Sequence, residues 1–64
     1  MVRVNGTDRE ADGKTVSELL AEEGFTPTQV AVELNLEILP KALYAETVLV
    51  DGDAVEIVQF VGGG

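Results

Sequence analysis

One stretch of this chain is patterned as a helix, and nearly everything around it is patterned as strand. Thr15 is followed three residues later by Glu18, the reciprocal pair of a capping box, which ties down the first free amides of a helix. Val16, Leu19 and Leu20 then recur at helical spacing, while Ser17, Glu18, Glu22 and Glu23 fall on the wet side. Gly24 suits the left-handed residue that ends a helix, Phe25 folds back, and Pro27 prevents continuation. A single short helix with one apolar stripe leaves the chain little choice. The remaining segments must supply a sheet that covers the stripe.

Those segments alternate with period two. Val2 and Val4 flank Arg3, and Asn5-Gly6 supplies the residues of a tight type I′ turn, so residues 7–11 return as an antiparallel partner. A two-residue turn would set Val2 opposite Arg9 on the core side. That pairing favours a different register unless the arginine stem lies along the core edge with its charge in water. Val30, Val32 and Leu34 alternate with Ala31, Glu33 and Asn35 as a third strand, and a short return runs through Glu37, Ile38 and Leu39 to Pro40. Residues 41–47 read as an irregular crossover with one short helical turn, anchored in the core by Tyr44 and Val48. Asp51-Gly52 makes a turn, and residues 54–61 form the last strand. The class is α+β, a mixed four- to five-stranded sheet with one helix packed across one face.

Length allows one domain and a small core. A 64-residue chain buries only about 60% of the surface its unfolded form exposes. Neither cysteine nor histidine is present, which excludes disulfides, thiolate metal sites and the commonest general base. A self-sufficient enzyme is therefore not expected. The first residues lack the apolar run of a signal peptide, and no stretch approaches a membrane span, so the expected location is the cytoplasm, without membrane contact. A net charge of −8 argues against nucleic acid and suits a partner with a basic docking surface, although the same charge also serves solubility. Asp51-Gly52-Asp53 lacks the further carboxylates of a calcium loop and is better read as a turn. Glu22-Glu23 reads as a solvated helix face, and Lys14 and Lys41 as ordinary surface lysines. There is no phosphate-cradling loop with its lysine, so nothing here would bind ATP.

The last strand runs straight into Gly62, Gly63 and Gly64. Composition alone reads such glycines as slack. Placed directly after a buried strand, however, they make a thread without side chains, and residues 61–64 would span roughly 13 to 14 Å when extended. Such a thread could enter a narrow tunnel in a partner and present the Gly64 carboxylate there. If Val55 and Ile57 face the helix, then Glu56, Val58 and Phe60 face outward, because side chains alternate along a strand. Exposed apolar side chains together on a small protein suggest a docking surface. Val58 and Phe60 are the first candidates for it, with Glu56 and Leu36 beside them.

Val2-Arg3-Val4-Asn5-Gly6, Thr15-Val16-Ser17-Glu18-Leu19-Leu20, Val30-Ala31-Val32-Glu33-Leu34-Asn35, Ile38-Leu39-Pro40, Asp51-Gly52-Asp53 and the run from Val55 to Gly64 follow one another at particular spacings. In that order and over nearly the whole chain, the sequence resembles the ThiS family of sulfur carriers, small ubiquitin-like proteins of thiamine biosynthesis. The resemblance implies a β-grasp domain over residues 1–61 and a flexible glycine tail over residues 62–64. It implies that the first and last strands lie parallel in the sheet centre, with Val2, Val4, Val55 and Ile57 meeting Val16, Leu19, Leu20, Val32 and Leu34. It further implies a protein co-substrate, monomeric when free, whose Gly64 carboxylate is adenylated by a ThiF-like adenylyltransferase with ATP and magnesium. Sulfur would come from a cysteine persulfide, and the acceptor would be a ThiG-like thiazole synthase. Related readings stay open: a MoaD-like carrier such as the small subunit of molybdopterin synthase, or a ubiquitin-like modifier joined to lysines. Where the family usually carries Asn-Gly, this chain has Asn35-Leu36. Leucine resists the positive φ of a type I′ turn, so a longer or differently shaped loop is expected there, with Leu36 projecting into water.

Overall fold

The computed structural model of the chain describes residues 1–60. Among them, five strands and one helix run in the order β1 (Val2–Val4), β2 (Thr7–Arg9), α1 (Val16–Glu22), β3 (Val30–Leu34), β4 (Glu37–Leu39) and β5 (Ala54–Gln59). Short 3₁₀ turns occupy Pro27–Gln29 and Lys41–Leu43. The strands form one sheet in the spatial order β2-β1-β5-β3-β4, in which β1 and β5 are parallel and the other neighbours antiparallel. With α1 on one face, this is the β-grasp arrangement. The last strand is the middle one.

The helix forms where its caps predict. Thr15 N–H donates to Glu18 Oε1 at 2.8 Å and Glu18 N–H donates to Thr15 Oγ1 at 3.1 Å. The two remaining first-turn amides, which no cap reaches, are taken up by the crossover: Val16 N–H donates to Thr47 O and Ser17 N–H to Tyr44 O. At the other end Gly24 has φ +82°, with Phe25 N–H donating to Leu20 O and Gly24 N–H to Ala21 O, a Schellman motif. Phe25 folds back against the core.

The core lies between α1 and the inner sheet face. Val2, Val4, Val55, Ile57 and Val32 from the sheet meet Val16, Leu19 and Leu20 from the helix, joined by Ala11, Val30, Tyr44 and Leu49, with Leu34 and Leu39 at its margin. Tyr44 anchors the crossover as its sequence suggests. Val48 does not; it is exposed, and Leu49 is the buried residue instead. The reason is a short antiparallel pairing that the sequence does not announce. Val48 bridges Thr15, Leu49 N–H donates to Lys14 O and Gly13 N–H donates to Leu49 O, so the segment is extended. Neighbouring side chains in an extended segment point opposite ways, and Leu49 takes the inward one.

Two hairpins also correct the sequence reading. The first keeps the two-residue register, with Val4 opposite Thr7 and Val2 opposite Arg9, and Asn5 and Gly6 at φ +50° and +83°. Val2 is fully buried, yet Arg9 is accommodated as the exception allows: its side chain is half exposed with the charge in water, 3.6 Å from Glu23 at the end of α1. The second hairpin is neither longer nor differently shaped. Leu34 pairs with Glu37 across a two-residue turn in which Asn35 and Leu36 take φ +53° and +71°. A left-handed leucine costs about 1 to 2 kcal/mol. Strand pairing outweighs that cost, since a one-residue slip would turn Val32 out of the core. Leu36 does project into water, 89% exposed.

Candidate functional site

β5 is gripped on both sides along its first residues. Asn35, at the β3–β4 turn, donates from its N–H to Ala54 O (2.8 Å) and accepts from Ala54 N–H at Oδ1 (2.9 Å). Its Nδ2 donates to Asp53 Oδ1 at 3.0 Å. Asn5, at the β1–β2 turn, does the corresponding work on the other side. Its N–H donates to Val55 O at 2.9 Å, its Oδ1 accepts from Ile57 N–H at 2.7 Å, and its Nδ2 donates to Ile57 O at 3.2 Å. The side-chain amide thus stands in for one more residue of β1, prolonging the ladder after the backbone has turned away.

The outer face of β5 carries Glu56 and Val58, followed by Phe60. Val58 is 58% exposed and Phe60 50% exposed, which places both where a partner can reach them. Phe60 is oriented by its surroundings: its N–H donates to Gln29 O at 2.9 Å, and Lys41 Nζ lies 5.5 Å from the ring centroid. That same ammonium donates to Val30 O at 2.8 Å. Register brings three outer-face residues into one row across β4, β3 and β5: Ile38, Glu33 and Glu56. Ile38 is 77% exposed, and the next row places Ala31 beside Val58. The face is therefore apolar with two carboxylates set directly opposite each other, and like charges so placed repel. None of the ion pairs among the described residues involves Glu33 or Glu56.

The far end of the sheet is different in character. There the Met1 ammonium meets the Asp51 and Asp12 carboxylates. A hydrogen bond to Asp51, reinforced by the charges of Asp12 and Asp51, raises the ammonium pKa, and the same bond lowers that of Asp51. A shallow cleft lined by Met1, Arg3, Asp8, Gly52, Asp53 and Ala54 lies at this end, away from Phe60. Among the described residues, no group of carboxylates is arranged to hold a metal ion, and no helix is long and apolar enough to cross a membrane.

A model of the ThiS family matches residues 2–64, nearly the entire chain. The chain belongs to the ThiS family. It is 44% identical to the sulfur carrier protein ThiS of Bacillus subtilis, with all of both chains covered. A crystal structure of the thiamine biosynthesis protein ThiS from Geobacter metallireducens superposes with a TM-score of 0.77 at 40% identity, covering 98% of this chain and 97% of that one. The chain is also 50% identical, over 62 residues, to part of a thiazole synthase of Paramagnetospirillum magneticum, of which it spans 19%.

For this ThiS-family chain the sequence-derived site residues divide into three groups. Glu56, Val58 and Phe60 share the outer face of the middle strand, as their alternation requires. Leu36 stands apart, because the β3–β4 turn lies beside the start of β5, roughly 17 Å or more along the strand from Phe60. Gly62, Gly63 and Gly64, with the boundary between a domain at 61 and a tail at 62, lie outside the described residues. Ile38 was legible but unread: period two places it outward once Leu39 is inward. Lys41 is at the surface, as read, and no local pattern foretells its contacts with Val30 and Phe60. Of the two glutamates taken as a solvated face, Glu22 pairs with Lys14 at 2.6 Å and Glu23 meets Arg9.

Proposed function

We propose that this chain is a sulfur carrier supplying the thiazole of thiamine, a protein co-substrate with the Gly64 carboxylate as its reactive group. A carboxylate resists nucleophilic attack because it is already an anion. Attack of its oxygen on the α-phosphorus of ATP, in a ThiF-like adenylyltransferase that also holds magnesium, releases pyrophosphate and forms an acyl adenylate. A cysteine persulfide then attacks the carbonyl and expels AMP, leaving an acyl disulfide. A second thiol cleaves that disulfide to give the terminal thiocarboxylate, which a ThiG-like synthase consumes. Glycine at the end leaves the carbonyl unhindered, and Gly62 and Gly63 let the preceding thread pass a narrow opening.

The full-length likeness to a ThiS sulfur carrier is the observation that carries this reading. The likeness to part of a thiazole synthase supports a ThiG-like acceptor. The geometry of the described residues agrees with it, because the middle strand, gripped on both sides, leads directly to Val61 and the glycines. Val58, Phe60 and Glu56 form the docking face, with Ile38 and Glu33 extending it. A cation from the partner set near Glu33 and Glu56 would relieve their repulsion. Leu36 would be touched only by a partner that spans the length of the sheet.

The free protein is a cytoplasmic monomer in this reading. Its outermost strands are three residues each, β2 carries Asp8 and Arg9, and β4 stops at Pro40, all of which blunt edge pairing between copies. Intact-mass analysis tests the chemistry. After incubation with the adenylyltransferase, ATP, magnesium and a persulfide donor, the chain should exchange one oxygen for one sulfur. An unchanged mass with an enzyme competent on another carrier refutes the proposal, and an isopeptide-linked adduct would point to a modifier instead.

A further inference from the structure

The β1 side of β5 is covered only part of the way. Arg3 N–H donates to Asp53 O and Asn5 N–H to Val55 O, after which the Asn5 side chain serves both backbone groups of Ile57. On the β3 side the antiparallel ladder uses the alternate residues, from Asn35 N–H on Ala54 O to Phe60 N–H on Gln29 O. Strand geometry then turns the N–H and C=O of Gln59 toward the β1 side, in line with those of Ile57. The chain has already left that side at the Asn5-Gly6 turn. Among the described residues nothing meets the two Gln59 groups, and Gln59 is exposed.

We propose that this position is the first rung of an intermolecular ladder. An extended backbone segment of the protein that receives the glycine thread pairs with the N–H and C=O of Gln59, with Asn5 marking where the internal ladder stops. An open strand edge is a ready template for such pairing, which takes backbone hydrogen bonds without regard to side chains. A second copy is a poor occupant. Each copy carries a net charge of −8, and one described rung gives two copies too little to share. A partner that already encloses the residues after Phe60 and presents cations toward Glu33 and Glu56 has neither handicap. The inference rests on the sulfur-carrier reading, since it takes the adenylyltransferase as the partner.

Three chains decide the matter: wild type, Gln59→Ala and Gln59→Pro. Alanine keeps the N–H and proline removes it, and proline is tolerated in a strand where the N–H faces outward. Binding to the ThiF-like adenylyltransferase in the presence of ATP should be unchanged for Q59A and weaker by about 3- to 10-fold for Q59P. Equal affinity of a folded Q59P overturns the inference. Amide exchange on the wild-type protein reads the same rung without any substitution. In the free chain Gln59 should exchange much faster than Ile57 and Phe60, and in the complex it should slow to match them. Protection of Gln59 in the free chain, no change on binding, or a homodimer that protects it would each overturn the inference. Failure of the wild-type chain to bind or to become adenylated would instead strike the sulfur-carrier reading.

Discussion

Removing the Asn5 side chain should loosen β5 more than its exposed position suggests. Asn5→Gly keeps the positive φ of the turn, +50° in the wild type, and deletes only the two bonds to Ile57. Each bond contributes about 0.5 to 1.5 kcal/mol net, so the expected loss is about 1 to 3 kcal/mol. Asn5→Ala deletes the same bonds and adds about 1 kcal/mol for a left-handed alanine. A chain of this size has a total stability of roughly 3 to 10 kcal/mol, so either loss is a large share of it. Urea titration followed by far-ultraviolet circular dichroism measures both variants. The thermal midpoint should fall by roughly 5 to 20 °C for the glycine variant. Glycine within about 0.5 kcal/mol of wild type would refute the reasoning, because the amide would then be an ornament of the turn rather than part of the ladder. A glycine variant as unstable as the alanine one would show that the backbone conformation contributes nothing separable.

Three further outcomes are expected. Leu36→Gly should raise stability by about 1 kcal/mol in the same titration, because glycine adopts φ +71° without strain and the leucine is exposed; a loss would mean that Leu36 packs in a way its exposure denies. Leu49→Ala should cost about 2 to 5 kcal/mol while Val48→Ala stays within about 0.5 kcal/mol, and the opposite order would restore Val48 as the core anchor. The Met1 ammonium has a folded pKa raised above its ordinary 8.0, chiefly by its hydrogen bond to Asp51, so its contribution is complete below pH 8 and is lost as the pH climbs through the raised value. Asp51, lowered from 3.8 by the same bond, contributes above that value and loses its share as the pH falls through its lowered one. Urea midpoints of the free and N-terminally acetylated chains should therefore converge as the pH rises, and parallel profiles would count against the bridge.

Local rules carried the helix completely. Thr15, Glu18 and Gly24 sit within a few residues of what they cap, so their roles can be read from spacing. The same holds for the strands, whose alternation put Glu56, Val58 and Phe60 outside and Val55 and Ile57 inside. What escaped the sequence depends on encounters between distant segments. Leu49 rather than Val48 is buried because residues near 13–15 pair with the crossover, and the two neighbours are chemically too alike for pattern to choose. Arg9 fits opposite Val2 because its side chain runs out to water at the end of α1, where Glu23 lies 3.6 Å away. Leu36 keeps a tight turn because pairing between β3 and β4 overrides the preference of one residue. In each case contacts between segments distant in sequence decided the outcome.

The order of strands in space has a consequence for how the protein is made. A nascent chain ending before Ala54 possesses two hairpins and a helix, but the seam that joins them has not yet been translated. Such a fragment has few reasons to close, since its long-range partners arrive last. A ribosome that stalls early would therefore release an unfolded polypeptide open to proteases, and not a sound-looking body without its last strand. The architecture screens its own copies, because any molecule compact enough to survive already contains β5, from which the chain runs on to Gly64.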